Sequence, residues 1–141
     1  MLEALKKLLT TEFENDLFNE AINNLNSNSR IRFSNFAYVI RELIDTILKT
    51  RANDEDVKNC IWYEKPINTE REVLRYQRIR YIVHGGFDKN IFDKILSFDF
   101  ENEINKINKY FRDVLSKHVH LNESCLNYTS QEIEQKIKNF E

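Results

Sequence analysis

Residues 33–49 read FSNFAYVIRELIDTILK, and this stretch decides the fold. Phe33, Phe36, Ala37, Ile40, Leu43, Ile44, Ile47 and Leu48 recur at steps of three and four. An α-helix turns about 100° per residue, so this spacing gathers them on one side and leaves Arg41 and Asp45 on the other. It predicts a helix from about Ser29 to Lys49 whose apolar stripe forms the centre of the core.

Toward the N-terminus, Thr11-Glu12-Phe13-Glu14 has the form of a capping box, in which each outer side chain satisfies a backbone N–H of the other. A helix is expected there, with Phe13, Leu17, Phe18, Ala21, Ile22 and Leu25 on its buried face. Leu2 to Leu9 reads as a separate turn or a preceding helix. Asn26-Ser27-Asn28-Ser29 ends the element, because these side chains compete for backbone hydrogen bonds.

Toward the C-terminus, Arg51 to Asn68 lacks a clear period, and Trp62 and Tyr63 are expected to plug one end of the core. A second capping box, Thr69-Glu70-Arg71-Glu72, predicts a helix that Gly85-Gly86 stops. A short helix over Asp88 to Ser97 and a long one from about Phe100 to His118 follow. The long one carries Ile104, Ile107, Phe111, Val114 and Leu115 on its buried face. Thr129-Ser130-Gln131-Glu132 is a third capping box and opens a tail helix with Ile133, Ile137 and Phe140 as its apolar residues.

Composition agrees. Two glycines and one proline in 141 residues leave little turn chemistry for an all-β fold, which needs it every 8–12 residues or so. The expectation is one all-α domain over 1–141, a bundle of about five helices. A net charge of −2 argues against a surface built wholly for nucleic acid but allows a local basic face. Cys60 and Cys125 match no metal-ligand spacing and read as reduced thiols. No apolar run suits a signal peptide or a membrane span, so a cytoplasmic location is expected, with no metal and no cofactor.

Chemistry concentrates in two places. On the helix expected from Thr69, Arg71, Arg75 and Arg78 fall at i, i+4 and i+7, forming either a phosphate-gripping stripe or a solvated face balanced by Glu70 and Glu72. Arg80 falls on the apolar stripe of Val73 and Val83. A guanidinium there requires a structural partner, with Glu42 as a candidate, or a functional cleft to enter. On the last long helix, Arg112, Ser116 and His120 climb one face with about 40° of drift per step. His118 continues the apolar face, where a satisfied core histidine is the alternative to a catalyst. An arginine and a histidine on one segment suit metal-free phosphodiester cleavage: imidazole moves the proton and guanidinium stabilises phosphoryl charge.

Arg112-Asp113-Val114-Leu115-Ser116-Lys117-His118 resembles the HEPN pattern of an arginine, a polar residue and a histidine after four to six positions. Arg78 through His84 fits the same spacing but runs into the glycine stop. A narrower resemblance spans most of the chain. Ser34-Asn35-Phe36-Ala37 with Arg41-Glu42-Leu43, Cys60-Ile61-Trp62-Tyr63, Gln77-Arg78-Ile79-Arg80-Tyr81 with Gly85-Gly86, and Leu115-Ser116-Lys117 with His120 look like the predicted pPIWI-associating nuclease family. The resemblance implies a HEPN-like helical domain of a prokaryotic defence or toxin–antitoxin system. It implies RNA as a partner, a homodimer whose two motifs form one cleft, and a defence-system partner protein. Arg112 would steady the phosphate, His118 or His120 would act as acid or base, and Ser116 and Lys117 would support the site. The narrower family places its histidine at His120, an interval from Arg112 longer than the HEPN rule. The alternative is a catalytically silent helical module that recruits or restrains a partner.

Overall fold

The computed structural model describes residues 2–87, 100–119, 123, 126 and 128–138, and all regular structure among these residues is helical. The side chains of Ala4, Phe100, Glu101, Glu103, Tyr110, Arg112 and Val114 lie outside that description, as do the helix expected over Asp88 to Ser97, Cys125 and Phe140. The chain divides into two compact units, Met1–Ile44 with Tyr110–Glu141, and Asp45–Lys109. No helix among the described residues is long and apolar enough to cross a membrane.

The first unit contains α1 (Leu2–Leu8), α2 (Glu12–Asn26) and the larger part of α3 (Arg32–Arg51). It also holds a π-helical segment, Phe111–Ser116, followed by α7 (Lys117–Val119) and α8 (Ser130–Lys138). The Thr11 capping box forms: Glu14 N–H donates to Thr11 Oγ1 at 3.1 Å, and Thr11 N–H donates to Glu14 Oε2 at 3.3 Å. The same carboxylate oxygen accepts from Thr10 N–H at 2.6 Å, which is how a charged side chain is tolerated in a fully buried position. Turning Glu14 inward sends its neighbour outward. Phe13, expected on the buried face, is exposed, whereas Phe18 and Ala21 are buried.

The stripe on α3 is buried as its spacing requires: Phe33, Phe36, Ala37, Ile40, Leu43, Ile47 and Leu48 are buried, and Ile44 is partly covered. Each large side chain so buried contributes about 1.5–3 kcal/mol, making this helix a large part of the apolar core among the described residues. The helix starts at Arg32 rather than Ser29 because the serines make local turns. Ser27 Oγ accepts from Ser29 N–H and Ser29 Oγ accepts from Ile31 N–H, both at 3.3 Å.

The second unit takes the end of α3, α4 (Asp54–Lys58), α5 (Arg75–His84) and most of α6 (Phe100–Tyr110). Ala52, Val57 and Val73 form a buried cluster against which Trp62, Tyr63 and Tyr81 pack, so the aromatics of the aperiodic stretch do plug a core. The helix expected from Thr69 begins six residues later. Thr69 Oγ1 accepts from Arg71 N–H in a local turn, and the Glu72 carboxylate pairs with Lys58 at 2.9 Å instead of reaching back. Gln77 supplies the cap, its Oε1 accepting from Leu74 N–H at 2.8 Å. Leucine has no side-chain acceptor to return the bond, so this is half a capping box. On α6, Ile104 is buried, but Ile107, expected beside it, is half exposed.

Candidate functional site

The segment carrying Arg112, Ser116, Lys117 and His118 is not a uniform α-helix. Its first six residues are π-helical, and Lys117–Val119 returns to α geometry. A π-turn takes up one residue more per hydrogen-bonded turn, and such turns are frequent at functional sites. It therefore changes the angular spacing of Arg112 and Ser116 from the roughly 40° of drift that positions four apart have in a uniform α-helix. The side chain of Arg112 and all of His120 lie outside the described residues. Ser116 is partly exposed and Lys117 is exposed.

His118 is buried. Its ring stands edge-on to Phe33 at a centroid distance of 5.1 Å and to Tyr128 at 5.6 Å, while Phe33 and Tyr128 meet at 5.5 Å. Tyr128 is held from behind, where Arg32 donates to its backbone carbonyl at 3.3 Å and the Lys136 ammonium lies 4.8 Å from its ring centre. Burial holds the imidazole below its ordinary range, and Lys136 and Lys117 push the same way. His118 is thus a neutral ring within an aromatic group. The sequence offered the apolar face as a clue to this, but Tyr128 lies in a stretch without helical period and carries no signal of its own.

Beside this segment lies a pocket of about 230 Å³, lined by Val119, by Asn24 of α2, and by Ser34, Asn35, Tyr38 and Val39 of α3. Ser34 and Asn35 belong to the stretch that carries the family resemblance. Asn24 and Tyr38 do not, and nothing in their spacing singles them out.

The arginines of the second unit are distributed differently from the expected stripe. Arg71 precedes α5 and is exposed, so only Arg75 and Arg78 share the helix. Arg75 donates from Nε and Nη2 to the two carboxylate oxygens of Asp45, at 3.0 and 3.2 Å. Arg78 bridges the Asp54 carboxylate and the Ala52 carbonyl. Arg80 places its guanidinium 4.7 Å from the centre of the Trp62 ring. Glu42, considered as its partner, instead accepts from Arg41 at 2.8 Å.

Three of the motif stretches converge here. Trp62 Nε1 donates to the Gly85 carbonyl at 3.0 Å, Cys60 Sγ lies 3.9 Å from the same oxygen, and Gln77 Nε2 donates to the Glu64 carbonyl at 2.8 Å. Gly85 holds φ at 63° and ψ at −147°, a conformation open essentially to glycine alone. His84, the histidine of the second Arg-to-His interval, is buried. Burial, reinforced by Asp56, pushes the Cys60 thiol up, so it stays protonated rather than acting as a nucleophile. Among the described residues, no group of three or more His, Cys, Asp or Glu side chains is placed to hold a metal ion.

The family model described as predicted pPIWI-associating nuclease matches residues 6–140. No curated protein and no solved structure matches the chain.

Proposed function

The chain belongs to the predicted pPIWI-associating nuclease family, and on that premise we propose that it is a metal-independent endoribonuclease of a prokaryotic defence system, with HEPN-like chemistry. The observation that carries this reading is the π-helical turn over Phe111–Ser116, which falls on the segment bearing the arginine and the histidines. Arg112 steadies the scissile phosphate, and Ser116 and Lys117 add hydrogen bonds and charge beside it. His120 is the acid–base group, because His118 is enclosed by Phe33 and Tyr128. It takes the proton from a ribose 2′-OH as that oxygen attacks phosphorus. The bond from phosphorus to the 5′-oxygen breaks, and the same histidine in a second copy of the chain protonates the leaving oxygen. A homodimer supplies both groups to one cleft. Arg75, Arg78 and Arg80 hold the second unit together through Asp45, Asp54 and Trp62, and Arg71 remains a candidate phosphate contact.

The burial of His118 also favours a second reading, a non-catalytic module that restrains a partner protein of the system. Cleavage of labelled single-stranded RNA in EDTA separates the two. The nuclease reading expects cleavage by wild type, loss with Arg112→Ala or His120→Ala, and retention with His118→Phe. Wild type that leaves RNA intact but retains a partner protein in a pull-down supports the module.

A further inference from the structure

We infer that the pocket lined by Asn24, Ser34, Asn35, Tyr38, Val39 and Val119 is a nucleobase subsite, which selects the RNA base lying beside the cleavage segment. This rests on the nuclease reading for its purpose but on separate residues for its chemistry. Its volume of about 230 Å³ lies below the roughly 300–1,000 Å³ of clefts that take drug-sized ligands. That suits a single ring system rather than a whole nucleotide.

The walls supply what an unpaired base needs, a ring to stack on and amides for its edge. Tyr38 is 49% exposed, with the Arg41 guanidinium, itself paired with Glu42, 5.6 Å from its ring centre, so the pocket has an accessible aromatic ring in its wall. Asn24 spends its amide nitrogen on Glu20, at 2.9 Å to the carbonyl and 3.0 Å to the carboxylate, and keeps its amide oxygen as an acceptor. Asn35 has no side-chain hydrogen bond among the described residues, leaving a donor and an acceptor side by side.

Ser34 contributes to the wall as a buried residue, 3% exposed, so the polar groups that a base meets are those of Asn24 and Asn35. Val119 fixes the position of the pocket, since it immediately follows His118 in α7. A base seated there lies next to the segment proposed to cut.

The test is calorimetric titration of the full chain with adenosine, guanosine, cytidine and uridine, using ribose as the base-free control. At least one nucleoside is expected to bind about tenfold or more tightly than ribose. Asn35→Ala and Tyr38→Ala are each expected to weaken it about tenfold. Both residues are at least partly exposed, so the variants are expected to keep the wild-type melting temperature, which is checked alongside. Equal binding of ribose and all four nucleosides overturns the subsite, as does binding that neither substitution changes. Nucleoside binding by a chain that does not cut RNA upholds the subsite and removes the nuclease reading. Cleavage with no base preference and no nucleoside binding does the reverse.

Discussion

His118 separates two roles that the sequence left open. The neutral ring within the Phe33 and Tyr128 contacts behaves as a core residue, and its protonation is coupled to folding. Burial, with Lys136 and Lys117 nearby, lowers its pKa in the folded chain below the ordinary 6.5, so the unfolded chain binds that proton more readily. The stability this group contributes is complete above about pH 6.5 and is lost as pH falls through the folded value. Melting temperatures measured from about pH 7 to pH 5 are expected to fall more steeply for wild type than for His118→Phe; parallel curves would contradict this account. Gly85 gives a second expectation at this scale. Among the described residues a Cβ there would meet the Phe87 ring at an ordinary 3.7 Å, so contact with that ring does not decide the outcome. Its φ of +63° does, and Gly85→Ala is expected to lose about 1–3 kcal/mol in urea denaturation. A loss below a few tenths would mean that the loop relaxes.

At the scale of elements, the π-turn should be sensitive to residue count. Deleting the exposed Asp113 removes the extra residue that the wider turn takes up, so that a regular α-helix replaces the π geometry beside Arg112. Circular dichroism is expected to keep its helical signal while RNA cleavage is lost; a deletion variant that still cleaves would detach the π-turn from function. The same scale explains what was legible beforehand. The α3 stripe and the Thr11 and Thr129 boxes were readable because their partners lie three or four residues apart, and both boxes form. The Thr69 box has an identical pattern but does not form, since Lys58, fourteen positions upstream of Glu72, competes for its carboxylate. Local spacing cannot register a competitor that the tertiary fold delivers. The π-turn escaped for a related reason: FRDVLS has no residue that forbids α geometry, so its register is set by packing rather than by propensity.

Across the whole molecule, the all-helical class followed from scarce glycine and proline together with one dominant apolar helix, and the family followed from motif stretches scattered along the chain. The second unit gathers three of those stretches around Trp62 and Gly85 as structure, where Arg75 and Arg78 hold carboxylates and Arg80 covers a ring. In the first unit, Ser34 and Asn35 of another stretch line the pocket together with Val119, which lies two residues past Lys117. The candidate site was therefore legible as a list of residues but not as an arrangement, because charge and spacing alone do not distinguish an arginine that grips phosphate from one that holds a fold. The central claim is that a ribose 2′-OH is the nucleophile and that the segment from Arg112 to His120 directs it. End-group analysis of RNA cut in EDTA tests this most directly: the account predicts 2′,3′-cyclic phosphate and 5′-hydroxyl ends that vanish with Arg112→Ala, whereas 3′-hydroxyl and 5′-phosphate ends would contradict it.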